Sequence, residues 1–278
     1  MTHSLSIIGG GKVGRTLGRL WSRIPELVLN DVLNRSLASA QDACDFIGAG
    51  RAIDAYSSIR RSDVYLIATP DDMIEQACNV LAASGKLNAA SIVFHCSGAK
   101  NTAALHAAIE HGAAVASVHP IRSFASPEQL INSFSGTYCG AEGDSRALSV
   151  LSEMFGAIGG TLVAINSERK VLYHAAAVFA SNYLVTLLDL AQHAYVEAGV
   201  APDTALQLME PLVRATVDNV FRLGPAIALT GPIARGDMAT VRLQQEAVTD
   251  WQAKYGDLYR DFTKLTMELA ARRKLEKN

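Results

Sequence analysis

Residues able to do chemistry cluster at a few places in this 278-residue chain. The first follows Leu5-Ser6-Ile7-Ile8, where Gly9-Gly10-Gly11-Lys12-Val13-Gly14 spells G-x-G-x-x-G on Gly9, Gly11 and Gly14. In such a turn the first glycine permits the tight bend, the second lets backbone approach a pyrophosphate, and the third lets the next helix lie close to the strand. The phosphates rest on unpaired N–H groups at the positive end of that helix. Here the motif follows an apolar run, opens a helical pattern and begins a strand–helix–strand series. It therefore predicts a dinucleotide site on Gly9, Gly11, Lys12, Val13 and Gly14, with a purely structural turn as the alternative.

The end of the next strand chooses the cofactor. An acid about 20 residues on suits the ribose of NAD, and an arginine suits the 2′-phosphate of NADP. Asp31 stands near that distance, but Val32-Leu33 carry the strand past it. Asn34-Arg35-Ser36 then sits at the strand end, where Arg35 can fork onto a phosphate and its neighbours add neutral hydrogen bonds. The reading is NADP; the alternative is a solvated Arg35 with Ser36 capping a helix. Thr69-Pro70 ends another strand at the edge where open α/β sheets bind ligands, placing both beside the nicotinamide, with Asp71 or Asp72 capping the next helix. Ser97-Gly98 follows His95-Cys96 at the same edge: Ser97 is a candidate substrate contact, and Cys96 reads as a small packed thiol.

A nicotinamide supplies hydride, so the protein must orient the substrate, deliver a proton and hold any anion. Lys170 and His174 are four residues apart and share a helical face, with Asn182 two turns further on. His174 can give or take a proton at neutral pH; a hydrogen-bonded core histidine is the plain alternative. In Ser117-Val118-His119-Pro120 the proline holds His119 extended at a strand end, and functional and structural roles are both open. Gly231, Pro232 and Gly236 mark a rigid non-helical excursion. Within it Arg235 is placed to pair with a substrate carboxylate or to serve a subunit contact, and Asp237 to cap the following helix.

These residues need a scaffold. Strands fit Leu5–Ile8, Val28–Leu33, Val64–Thr69, Ser91–His95 and Ala114–Val118, with a later pair near 136–140 and 161–165. Helical patterns fit Val13–Arg23, Leu37–Ile47, Asp72–Ala83, Thr102–Glu110 and Ser145–Ile158. The fold class is α/β: a doubly wound, mainly parallel sheet over residues 1–165, then an all-helical domain over 166–278. Helices there span Glu168–Gly199, Pro202–Leu223, Asp237–Tyr255 and Asp257–Lys274. Apolar residues are 49% and charged residues 19%, enough for two cores, while 6% aromatics imply an aliphatic interior. A net charge of −2 gives no basic face for nucleic acid and no polybasic membrane patch. The segment Val171–Leu190 holds His174, Asn182 and Asp189 and reads as too polar for a span. Four scattered cysteines form no C-x-x-C pair, and Met1-Thr2-His3-Ser4 carries no charged leader, so no metal site and a cytoplasmic home are expected.

Taken together, Gly9–Gly14, Asn34-Arg35-Ser36, Thr69-Pro70-Asp71, His95-Cys96-Ser97-Gly98, Ser117-Val118-His119-Pro120, Tyr173-His174-Ala175-Ala176-Ala177, Ser181-Asn182 and Thr230–Asp237 resemble a two-domain family. It pairs a Rossmann-like domain with the helical domain DUF2520, and its plan is similar to pyrroline-5-carboxylate reductases and 6-phosphogluconate/β-hydroxyacid dehydrogenases. The resemblance implies NAD(P)-linked redox chemistry; with the NADP reading of Arg35, the leading expectation is hydride transfer between NADP and a small polar, anionic C=O or C=N compound at the domain junction. It supplies no substrate. Dehydrogenases of the second group carry Asn four residues after a lysine, where this chain has His174. The alanine-rich helix suits a homodimer contact. A non-catalytic NADP-binding sensor or scaffold is the rival from another class.

Overall fold

A computed structural model describes residues 3–275, so Met1-Thr2 of the expected leaderless start lie outside it. The chain forms two compact units that meet in sequence at Val185/Thr186. The first contains β1 (His3–Ile8), α1 (Lys12–Trp21), β2 (Leu27–Leu33), α2 (Leu37–Ile47), β3 (Arg51–Ile53), β4 (Val64–Ile67), α3 (Ile74–Ala83), β5 (Ile92–His95) and α4 (His106–Glu110). It continues with β6 (Ala114–Pro120), α5 (Pro127–Leu130), β7 (Thr137–Gly143), α6 (Ser145–Ala157), β8 (Gly160–Ala164) and α7 (Lys170–Ala180). Helix α8 (Asn182–Glu197) carries the chain into the second unit.

The eight strands run in the order β3-β2-β1-β4-β5-β6-β7-β8, parallel except for the β6–β7 pair. Adjacent residues serve opposite faces. Ile7, Leu66 and Phe94 enter a core with Leu17, Trp21 and Phe155, while Ile8, Ile67 and Val93 enter another with Cys78 and Leu81. Strands buried on both faces need continuous apolar runs, which is what β4 and β5 supply. The interior is not purely aliphatic. Trp21 meets Phe94 and Phe155 edge-on at centroid distances of 6.2 and 5.3 Å, and its Nε1 donates to the Met154 carbonyl at 3.0 Å.

Strand β3 has only three residues, too short for a period-2 pattern to announce it. Strand order reverses direction of growth between β1 and β4, and such a switch point opens a crevice at the carboxyl ends of the strands. Helix α7 belongs to this unit although no strand follows it, because Lys170 and Tyr173 reach back to β6. The compact unit therefore runs twenty residues past the 165/166 division at which the strand pattern stops.

The second unit contains α9 (Pro202–Leu223), α10 (Pro225–Ala228), α11 (Pro232–Arg235), α12 (Met238–Trp251) and α13 (Ala253–Leu275). Three of these begin with proline, whose missing N–H costs nothing in the first turn. Three expectations are corrected. The helix expected over 168–199 breaks at Ser181, whose φ of −125° and ψ of −71° leave the helical region. The excursion at 230–237 is not free of helix: Pro232–Arg235 make one turn between Gly231 and Gly236, both at positive φ. The helix expected over 237–255 stops at Trp251, because Gln252 is extended. By length and a mean hydropathy of 1.5, the run Ser167–Glu197 is apolar enough to cross a membrane, contrary to the polar reading. Its first turns, however, carry the buried Lys170 and the Tyr173 and His174 described next.

Candidate functional site

The crevice begins at the glycine turn. Gly9 has φ +102°, and a Cβ there would lie 2.7 Å from the Ala68 carbonyl carbon, so only glycine fits. A Cβ on Gly14 would collide with the Gly9 carbonyl oxygen, while one on Gly11 would meet nothing within 4 Å. Gly11 is also the N-cap of α1; it makes no side-chain cap, and the first turn holds no acid. Unsatisfied N–H groups at that helix end face an open cradle, the condition for holding an anion. Gly9, Gly10, Gly11, Asn34, Arg35, Thr69 and Pro70 all line one cavity of about 650 Å³. The Thr69 hydroxyl is buried there without a hydrogen-bond partner.

The remaining cofactor residues take different places. Asn34 braces the turn: its Oδ1 accepts from Gly10 N at 2.6 Å and its Nδ2 donates to the Ser39 carbonyl at 2.8 Å. Ser36 caps α2, accepting from Ser39 N. Val13 packs on the core, and Lys12 Nζ donates to the Ala125 carbonyl at 2.9 Å. Arg35 is exposed on the cavity rim and has no ion pair among the described residues.

Asp31 is unavailable to a ribose. It is fully buried and receives Arg51 Nε at 2.9 Å, Arg60 Nε at 3.0 Å and Arg60 N at 2.6 Å. Burial alone would raise its pKa, but hydrogen bonds from Arg60 and Arg51 prevail and hold it below the usual carboxylate range. An extra residue in β2, between the pairs Leu5–Leu29 and Ile7–Val32, accompanies this placement.

A second polar cluster lies along β5, β6, β7 and α7, all in the first unit. Lys170, 1% exposed, donates Nζ to Ser117 Oγ and lies 3.5 Å from Glu142 Oε1. Glu142 also accepts Thr102 N and Thr102 Oγ1, both at 3.0 Å. Desolvation lowers the Lys170 pKa, against the opposing pull of Glu142. Ser117 Oγ lies 3.3 Å from His95 Nδ1, and His95 Nε2 lies 3.2 Å from the Asn101 carbonyl. Burial depresses His95 to about 4, so it is neutral at physiological pH.

His119 and His174 stand edge to face at 5.6 Å, and His119 Nδ1 lies 3.1 Å from the Tyr173 hydroxyl. Desolvation, with His174 and Lys170 nearby, takes His119 to about 4. The His174 Nδ1 is buried without a partner. Two glycines make room for the group. A Cβ on Gly140 would strike the Tyr173 hydroxyl, and one on Gly98 would strike His174 Nδ1 and lie 3.0 Å from His119 Nε2.

The fold thus gathers three of the four expected proton-transfer residues, Lys170, His119 and His174. Asn182 opens α8 beyond the break at Ser181, so it no longer holds the helical phase with His174 that the spacing implied. Ser97 turns inward: its hydroxyl accepts from Ala99 N and Lys100 N and donates to Asp71 Oδ2 at 2.7 Å, leaving no hydrogen for a substrate. Asp71 thereby serves the loop rather than a helix cap. Arg235 is an exposed residue of the second unit, at the end of α11, and Asp237 caps α12 through Thr240 as expected. Burial raises the Cys96 thiol, which keeps it an inert packed group. Glu142 is the residue that sequence reading missed. The only available signal was an acid inside the otherwise apolar and small run of β7.

Comparison with known proteins divides the chain between β6 and β7, within the sheet. Residues 2–120 match the Rossmann-like domain family and residues 137–266 match the domain of unknown function DUF2520. The chain is a Rossmann-like protein with a DUF2520 domain. Protein TM1727 of Thermotoga maritima is 28% identical over 97% of this chain and 99% of its own, with a TM-score of 0.77. BF3122 of Bacteroides fragilis, provisionally named an NADP oxidoreductase, is 17% identical over 96% and 98%, with a TM-score of 0.76. A Coxiella burnetii pyrroline-5-carboxylate reductase is 17% identical over 97% and 99%, with a TM-score of 0.61. No curated protein matches the chain. The last two likenesses are likenesses of fold, and it is a fold that nicotinamide-dependent reductases use.

Proposed function

We propose that this protein is an NADP-dependent oxidoreductase that reduces a small polar C=O or C=N compound. The observation that carries the reading is the cavity at the glycine turn: Arg35 stands on its rim with no ion pair among the described residues, while Asp31, outside its lining, is consumed by Arg51 and Arg60. The cradle over Gly11, the uncapped start of α1 and the orphaned Thr69 hydroxyl fit a dinucleotide. When bound, NADPH supplies a hydride to the substrate carbon and leaves as NADP⁺. The protein's task is the matching proton for the oxygen or nitrogen. We take His119, His174 and the Lys170–Ser117 pair as the candidates for it, with Glu142 at 3.5 Å opposing the lowering of the Lys170 pKa by burial. In this reading Arg235 holds an anionic group of the substrate.

The exposed Val171, Leu172 and Phe179 on α7 support a homodimer, and four unpaired cysteines fit a reducing cytoplasm. The sensor alternative shares the cavity but has no use for paired imidazoles.

Calorimetric titration with NADPH and NADH tests the cofactor reading. A charge-assisted contact is worth about 1.5–3 kcal/mol, so Arg35→Ala should weaken NADPH about 10- to 150-fold and leave NADH nearly unchanged. Asp54 also lines the cavity, and tighter binding of NADH by the native protein would assign the selective role to it and overturn the NADP reading.

A further inference from the structure

Arg15 follows Gly14 directly, one helical turn past the N-cap of α1, and lines the cavity of about 650 Å³ together with Arg35. Among the described residues, the charged ones in that lining are these two arginines and Asp54. The two arginines are held differently. Arg35 is exposed and has no ion pair among the described residues. The Arg15 side chain is 25% exposed and fixed on three sides. Its Nε donates to the Gly10 carbonyl at 3.1 Å, its Nη2 donates to Asp42 Oδ2 at 2.8 Å, and its guanidinium carbon lies 5.7 Å from the centre of the Phe46 ring. A guanidinium has five N–H bonds. Both on Nη1 and one on Nη2 have no partner among the described residues. A guanidinium already held in place loses little freedom when it takes a ligand, unlike a solvated one on a rim.

Gly10 joins the two arginines. Its amide donates to Asn34 Oδ1 at 2.6 Å and its carbonyl accepts from Arg15, so Arg15 and the neighbour of Arg35 grip one glycine. Asp42 lies on α2, the helix that Arg35 and Ser36 precede. These contacts set Arg15 beside the carboxyl end of β2, whereas the uncapped amides of α1 start after Gly11. Arg15 also borders a neighbouring cavity with Gly11 and Lys12, so contact with the pyrophosphate is the outcome to be separated by experiment. The Asp42 side chain is 69% exposed, which makes its ion pair with Arg15 weak and exchangeable. A phosphate dianion offers more charge and more acceptor oxygens than that carboxylate.

We infer that Arg15 is a second phosphate-binding residue, which takes the 2′-phosphate of the dinucleotide together with Arg35, while Asp42 holds its guanidinium in place and competes for it. The inference rests on the NADP reading and deepens it. Selectivity then comes from one braced and one solvated arginine, and Asp42 tempers its strength.

Calorimetric titration of the full-length protein with NADP⁺ and NAD⁺, and with adenosine 2′,5′-bisphosphate and adenosine 5′-monophosphate, tests it. Arg15→Gln should weaken NADP⁺ and the bisphosphate about tenfold or more, with NAD⁺ and the monophosphate within about twofold of native. Asp42→Asn should act the other way and tighten NADP⁺ about three- to tenfold without changing NAD⁺. In the double variant that gain should vanish. Asp42 is a surface residue, so its variant still reports where Arg15→Gln fails to fold by circular dichroism. Equal weakening of NADP⁺ and NAD⁺ in Arg15→Gln would move the residue to the pyrophosphate and overturn the inference, as would NADP⁺ affinity unchanged or reduced in Asp42→Asn. A native protein without preference for NADP⁺ strikes the NADP reading and this inference together. A native preference that survives Arg15→Gln undiminished strikes this inference alone.

Discussion

Replacing Glu142 with glutamine removes one charge from a buried pair and leaves the other. Lys170 is 1% exposed and Glu142 7%, and their closest atoms are 3.5 Å apart. With an effective dielectric constant of about 20, a pair at that distance is worth about 5 kcal/mol before desolvation, and breaking buried pairs costs about 3–5 kcal/mol. Glutamine can still accept the Thr102 amide, so the change falls mainly on the ammonium. Lys170 has an escape, because it can fold deprotonated. With an unfolded pKa near 10.4, that route costs about 4.6 kcal/mol at pH 7 and about 2 kcal/mol at pH 9. The penalty is therefore capped, and the cap falls as pH rises. The direction follows from the lowered Lys170 pKa: above it the unfolded chain binds a proton that the native state has lost, so stability climbs with pH.

Urea unfolding at pH 7 and pH 9 measures this, with Trp21 as the sole tryptophan in a Trp251→Phe background. Trp21 sits in the core of the first unit against Phe94 and Phe155 and reports that unit alone. For an m-value of about 3 kcal/mol/M, E142Q should lower the midpoint by about 1–1.5 M at pH 7 and by clearly less at pH 9. A deficit under about 1 kcal/mol at pH 7, or one equal at both pH values, would refute the buried-pair argument.

Two further outcomes follow from the same geometry. His95 and His119 titrate near 4 in the folded protein against about 6.5 when unfolded, so the unfolded chain takes up protons first and stability falls as pH drops from about 6.5 to 4. The fully buried His95 should account for up to about 3 kcal/mol of this, seen as a urea midpoint that declines stepwise from pH 7 to pH 5; a flat midpoint would contradict it. Gly9→Ala forces a side chain onto a backbone at φ +102° and into Ala68, and should lower the thermal midpoint by at least about 3 °C by circular dichroism while weakening NADPH tenfold or more. An unchanged midpoint would show that the turn relaxes without loss.

Much of the cofactor half is legible in the sequence because its signals are local. A positive-φ turn needs Gly9, a strand buried on both faces needs an unbroken apolar run, and a helix start needs a residue such as Ser36. Such requirements act over a few residues, so they can be read in order along the chain. The same locality shows Asp31 inside a strand rather than at its end. What it cannot show is the reason Asp31 is lost to a ligand, since Arg51 and Arg60 reach it only after β3 has paired with β2.

The second polar cluster depends on distances that the chain order does not contain. Lys170, Ser117 and Glu142 are separated by at least 25 residues in sequence and meet because β6 pairs antiparallel with β7 while α7 reaches back to both. Spacing placed Lys170, His174 and Asn182 on one helix, and a single non-helical residue, Ser181, was enough to undo the phase. Gly98 and Gly140 look like ordinary turn and strand glycines in the sequence. Only packing shows that a methyl group at either position would occupy the space of His174 or Tyr173. Composition and local stereochemistry determined a doubly wound sheet with a nucleotide turn. Tertiary structure decided which acids are spent, which imidazoles converge and which lysine is buried, because burial and long-range contact alone set the energy of a charge or a lone hydrogen-bonding atom.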